Sequence, residues 1–150
     1  MRTFENPAEL LNAVGEDLGY SQWHDVTQEH IDLFAQATGD HQWIHTDPTR
    51  ATAGPFGSTI AHGFLTLSMV SMMSWEVSTI NNVSMLINYG MNKVRFPTPT
   101  PVGSRVRAHI VIDEVTETSK GIQVVQTVTV EIQGSDKPAC VAQTVTLVVP

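Results

Sequence analysis

Apolar residues change their period at Asn81-Asn82. Before that pair they follow helical spacing; after it they alternate with polar neighbours. Thr27 is placed to cap a helix in which Ile31, Phe34, Ala35 and Thr38 form the buried stripe, and Gly39 stops it. Asn6-Pro7 opens a shorter helix that ends by Gly15 or Gly19, and Asp47-Pro48 opens another that runs out at Gly54-Pro55. Tyr20 to Val26 reads as a strand. From Ala51 to Trp75 there is no Asp, Glu, Lys or Arg, and Phe64 to Trp75 has no polar side of any width. A helix apolar nearly all round is buried or spans a membrane. This one is too short to span and carries Ser68, Ser71 and Ser74, so it is predicted as a central core helix.

The alternating half predicts a meander. Ser84 to Phe96 forms one strand, bent at Gly90, and Pro97, Pro99 and Pro101 stiffen the connector to Gly103. Val106 to Ile112, Ile122 to Ile132 and Val141 to Val149 form the others, with Gln126 breaking the alternation. Thr118-Ser119-Lys120-Gly121 and Gly134-Ser135-Asp136-Lys137 are hairpin connections. Helices followed by a meander give an α+β domain, with one antiparallel sheet wrapped round the apolar helix. Its free edge needs cover, which a second subunit would give.

The 150 residues fit one domain, 1–150, with no repeat or linker. The net charge of −7 argues against nucleic acid. A single cysteine, Cys140, and an N-terminus without a signal-type apolar run lead to the expectation of a cytoplasmic protein. Four of the eight basic residues, Lys93, Arg95, Arg105 and Arg107, fall close together. They read either as a solvated strand face or as a basic patch for a small anionic ligand such as a nucleotide-tailed cofactor.

The candidate chemistry lies just past the Gly39 stop. Asp40 and His45 put a carboxylate and an imidazole five residues apart, a pair able to shuttle protons. Their spacing alone is equally met by a turn-forming Asp and an ordinary buried His. Gly63, in the first turn of the apolar helix, would leave a backbone N–H open to a developing oxyanion, or serves only close packing. Asp47 is explained by capping. A metal reading of Asp40, His41, His45, Asp47 and His62 is disfavoured, because Gly39 and Pro48 leave little room for a helix that would aim His41 and His45 together.

Together, Phe34-Ala35-x-x-Thr38-Gly39-Asp40-x-x-x-Ile44-His45-x-Asp47, Ile60-Ala61-His62-Gly63-Phe64 and Asn88-Tyr89-Gly90-x-Asn92-Lys93-Val94-Arg95-Phe96 resemble the MaoC-like dehydratases, the (R)-specific enoyl-CoA hydratases. The resemblance covers nearly the whole chain and is nearest to small single-domain members, including the nodulation protein N-like proteins. It implies a hot-dog fold, a homodimer, and reversible syn hydration of a trans-2-enoyl thioester to the (3R)-hydroxyacyl thioester. By that analogy Asp40 and His45 activate the water and Gly63 N–H holds the thioester oxygen. Trp43, His62, Phe64, Lys93 and Arg95 are candidate substrate contacts. Coenzyme A or acyl carrier protein enters as part of the substrate, with no separate cofactor and no metal. Many members have Asn-Pro where this chain has Gln42-Trp43, which bears on pocket shape. A thioesterase, or a non-catalytic acyl-thioester binder, is the alternative.

Overall fold

The computed structural model describes all residues from Met1 to Pro150. The strand β1 (Arg2–Phe4) precedes a 3-10 turn over Pro7–Asn12. There Asn6 makes no side-chain cap; Glu9 instead reaches back to the Glu5 N–H at 3.2 Å. The strand expected at Tyr20 to Val26 lies earlier and is broken, into β2 (Asp17–Tyr20) and β3 (His24–Asp25). The break lies at Ser21, whose N–H and hydroxyl both engage Ala108 of the neighbouring strand.

Helix α1 (Gln28–Thr38) is built as the sequence predicts. The Thr27 hydroxyl accepts from His30 N–H, and Gly39 takes a left-handed φ of 78°. Ile31 and Ala35 are buried, but Thr38 is exposed and donates its hydroxyl to the Phe34 carbonyl. Two short helices follow, α2 (Trp43–Thr46) and α3 (Pro48–Thr52), the second capped by the Asp47 carboxylate.

Helix α4 (Gly63–Val77) carries the uncharged run. After it come β4 (Ser78–Ile80), β5 (Met85–Arg95), β6 (Arg105–Thr118), β7 (Gly121–Ile132) and β8 (Cys140–Val149). Strand β4 pairs in parallel with β1. The main sheet runs β2-β6-β7-β8-β5, with β3 also paired to β6. Its pairings are antiparallel. Helix α4 packs on β2, β6, β7 and β8, so one helix serves most of the sheet. Leu65, Val70, Met73 and Val77 join Val106, Ala108, Ile110, Val128, Val130, Cys140 and Ala142 in the main core cluster.

One expectation needs correction. The helix is not buried all round in a single chain: Phe64, Ser68, Ser71, Met72 and Trp75 form an exposed stripe, with Phe64 68% and Trp75 57% accessible. That stripe has helical spacing, so it is one face. Strand β5 lies at the sheet edge and also exposes Met85, Ile87, Tyr89 and Met91. Its register with β8 shifts between Asn88 and Gly90 and between Met91 and Lys93. The first of these shifts falls at Gly90, where the sequence predicts a bend. No helix is long and apolar enough to cross a membrane.

Candidate active site

Asp40 follows the left-handed Gly39, so the chain turns sharply away from α1 before the carboxylate appears. The carboxylate accepts from Gln42 N–H at 3.3 Å and is half exposed. The next residues form the single turn α2, which carries His45 inward to 7% exposure. His41 lies before that turn and is exposed. The segment is therefore more helical than its flanking Gly and Pro suggest, yet it does not place His41 and His45 on one face.

The His45 ring is fixed from two sides. Its Nδ1 lies 2.7 Å from the Ile60 carbonyl oxygen. A carbonyl only accepts, so Nδ1 carries the proton and Nε2 keeps a free lone pair. The His45 main-chain carbonyl accepts from the Gln28 amide at 2.7 Å, and the Gln28 amide oxygen in turn accepts from Thr59 at 2.6 Å. Burial lowers the His45 pKa from its ordinary value; the Ile60 bond opposes this, nearby His62 adds to it, and Asp40 opposes it. The net result favours neutral imidazole, the form needed in a general base.

His62 stands behind the pair. It is 3% exposed, its ring stacks on His45 with centroids 3.8 Å apart and planes 23° from parallel, and Phe34 packs against it. Its Nε2 donates to the Asp40 main-chain carbonyl at 2.9 Å. Its Nδ1 is buried without a partner. A nitrogen from each ring and a carboxylate oxygen of Asp40 lie within 4.8 Å of one another. That separation suits a water held between acid and base. It suits a metal less well, since His62 Nε2 is already engaged by the Asp40 carbonyl.

Gly63 is the first residue of α4, directly after His62. The N–H groups at a helix start have no intrahelical acceptor. A Cβ on Gly63 would meet the Phe96 ring at 3.1 Å, a tight contact that Phe96 would have to yield to, so the approach of β5's end to the helix start favours glycine here. The same approach sets Phe64 edge-on to Phe96, with ring centroids 6.1 Å apart.

The MaoC like domain matches residues 9–134. This chain belongs to the MaoC-like domain family. It is 55% identical over 146 residues to 3-hydroxyacyl-thioester dehydratase Z of Mycobacterium tuberculosis, covering 97% of each chain. It is 44% identical over 146 residues to nodulation protein N of Rhizobium leguminosarum, covering 94% of this chain and 89% of that one. Among solved structures, an unliganded R-hydratase from Pseudomonas aeruginosa superposes with a TM-score of 0.74 at 22% identity, over 91% of this chain and 81% of that one. The architecture is thus the hot-dog fold, a sheet packed round one helix.

The other predicted contacts of this MaoC-like domain divide. Phe64 borders Gly63. Trp43 is turned to α3, where Arg50 lies over its ring at 4.4 Å and Gly54 packs against it. Lys93 and Arg95 are exposed on β5, just before Phe96, and face solvent near the helix start. The four-residue basic patch does not form: β6 and β5 are separated by two strands. Arg105 pairs with Asp25, and Arg107 pairs with Glu131 at 2.8 Å while covering Tyr20 and Trp23. Cys140 is fully buried, and burial pushes its thiol up to about 11, which excludes a nucleophile.

Sequence reasoning missed Gln28, Thr59 and the Ile60 carbonyl as supports of His45. Ile60 stands in a recognised run, but its contribution is a main-chain oxygen, which no side-chain pattern displays. Gln28 looks like any polar residue in a first helical turn.

Proposed function

We propose that this protein is an (R)-specific enoyl-thioester hydratase, working equally as a (3R)-hydroxyacyl-thioester dehydratase. The observation that carries the reading is the His45 ring, held at Nδ1 by the Ile60 carbonyl, with a ring nitrogen within 4.8 Å of an Asp40 carboxylate oxygen, beside the start of α4. The 55% identity to a 3-hydroxyacyl-thioester dehydratase supports the same reaction class.

In hydration, Asp40 and His45 Nε2 hold one water. Nε2 takes a proton as the water oxygen bonds to C3 of the enoyl thioester. The electron pair moves to the thioester oxygen, which the Gly63 N–H stabilises. The enolate then collapses and C2 receives a proton from the same acid/base pair, so both additions come from one side. Positioned proton transfer contributes about 10²–10⁴ in rate, and one oxyanion donor about 10²–10³. Lys93 and Arg95, free of ion pairs near the site, would meet the phosphates of coenzyme A or of a carrier-protein arm.

The working unit is a homodimer in this proposal. The exposed stripe of α4 and the open β5 edge each leave apolar surface to solvent that a second copy would cover. A cytoplasmic setting is the compartment consistent with acyl-thioester substrates.

The decisive experiment follows the conjugated enoyl-thioester absorbance of crotonyl-CoA and resolves the product enantiomer. Loss of the band with (3R) product supports the reading, and Asp40→Asn and His45→Gln should each remove most turnover. Thiol release without hydration, or full activity in either variant, would overturn it.

A further inference from the structure

We propose that the acyl chain accepted at this site carries a neutral polar group, a hydroxyl or a carbonyl, near its far end. The inference rests on the hydratase reading and adds the substrate class. A cavity of about 150 Å³ lies between the second half of α4 and the inner faces of β5, β7 and β8. Ser71 and Ser74 face it from the helix; Asn88, Gln126, Thr144 and Thr146 face it from the sheet.

The sheet residues form one continuous row. Asn88 pairs with Thr146 across β5 and β8, and Gln126 pairs with Thr144 across β7 and β8. Thr144 and Thr146, two apart on β8, share a face. That same face of β8 is otherwise apolar and closed: Cys140 and Val148 are 0% exposed and Ala142 is 1%. Thr144 and Thr146 interrupt that apolar face over the cavity, where they join Val124, Leu86 and Val148 in a mixed lining. Gln126 is the residue that breaks the alternation of β7, and the cavity is where it points.

Shape does not demand this polarity, since valine fills nearly the same volume as threonine. Only Ser74 and Thr144 spend their hydroxyls inside the chain, on the carbonyls of Val70 at 2.8 Å and Gln126 at 3.5 Å. The Asn88 and Gln126 amides and the Ser71 and Thr146 hydroxyls have no such partner and remain open to water, with Ser71 and Asn88 at the exposed rim. Against a saturated chain they would lose water and gain nothing, a cost for each group. Against a hydroxyl or carbonyl they would pair. No Asp, Glu, Lys, Arg or His lines the cavity, so the complementary group is uncharged. Ser71 lies eight residues beyond Gly63, or about 12 Å along the helix. A medium-length acyl chain with its thioester oxygen at Gly63 spans that distance.

The test compares trans-2-decenoyl-CoA with its ω-hydroxy counterpart on the intact protein, with crotonyl-CoA hydration by the wild type as the check on the reaction itself. The wild type is expected to favour the hydroxylated chain by about tenfold in kcat/KM. Thr146→Val, an isosteric change, should reduce that ratio, and Thr146→Val with Gln126→Leu should reverse it. Because each protein is scored by the ratio of two substrates, a general loss of stability does not mimic the effect. Crotonyl-CoA hydration with equal or better use of the alkyl chain by the wild type, or a ratio indifferent to both substitutions, would overturn the inference and leave the hydratase reading intact. Failure to hydrate crotonyl-CoA and both longer substrates would overturn the two together.

Discussion

The main-chain carbonyl of Ile60 decides which nitrogen of His45 is free. By accepting from Nδ1 at 2.7 Å it leaves Nε2 as the unprotonated atom, and it does so from the strand-like segment that leads directly into His62 and Gly63. The carbonyl that fixes the base, the supporting His62 ring and the Gly63 N–H therefore sit on one short connected piece of chain, Ile60 to Gly63. A shift of that piece moves all three together.

The pH dependence follows from burial of His45. Its pKa lies below the ordinary imidazole value of about 6.5. The base form therefore persists as pH falls through that value, and the acid limb of kcat/KM should have its midpoint below 6.5. The sign for stability is the same: the unfolded chain binds the proton more readily, so this group's contribution is full above the unfolded pKa and declines as pH drops below it. Initial rates across pH, with denaturation midpoints in the same buffers, check both. An acid limb above pH 7 would contradict the assignment.

His62→Phe keeps an aromatic ring beside His45 and removes the Nε2 bond to the Asp40 carbonyl. Asp40 then loses one of its tethers. The expected result is a fall in kcat of about tenfold, the scale of one lost hydrogen bond, with KM little changed. A change confined to KM would place His62 in substrate binding instead.

Gly63→Ala tests whether glycine is there for space. Alanine has the same N–H but would press its Cβ on Phe96 at 3.1 Å. A loss of about 1–3 kcal/mol in stability is expected, and Phe96→Leu in the same chain should recover much of it. If thermal midpoints for Gly63→Ala match the wild type, close approach of Phe96 is not what requires glycine.

Trp75→Asp places a charge in the middle of the exposed stripe of α4, where Trp75 is 57% accessible. In an isolated chain the change would be tolerated, since surface substitutions alter stability by about 0.5 kcal/mol or less. In a dimer that buries the stripe it should produce monomers in sedimentation velocity while the far-ultraviolet dichroism is kept. An unaltered sedimentation coefficient would locate the subunit contact elsewhere.

Much of the fold was legible because its signals are local. Thr27 and Gly39 bracket α1, Asp47 caps α3, and the alternation of β6, β7 and β8 follows from one buried face. The misplaced strand near Tyr20 failed for a tertiary reason: Ser21 bonds to Ala108 and splits the run. The exposed face of α4 was hidden for another. An interface residue and a core residue have the same chemistry, and Trp75 reads as either until a neighbour is counted. Of the site, Asp40, His45 and Gly63 were visible as residue types at set spacings. The grip of Gln28 and Ile60 on His45 was not, since it depends on chain segments meeting in space.

The interruptions in β5 also set a limit on growth. A long, flat, apolar strand left open at a sheet's margin can recruit copy after copy into a fibril. Here Tyr89 and Asn92 sit where the ladder slips, so the margin is kinked and offers only short straight runs. Such a rim is a poor template for the repeated in-register pairing that a fibril needs.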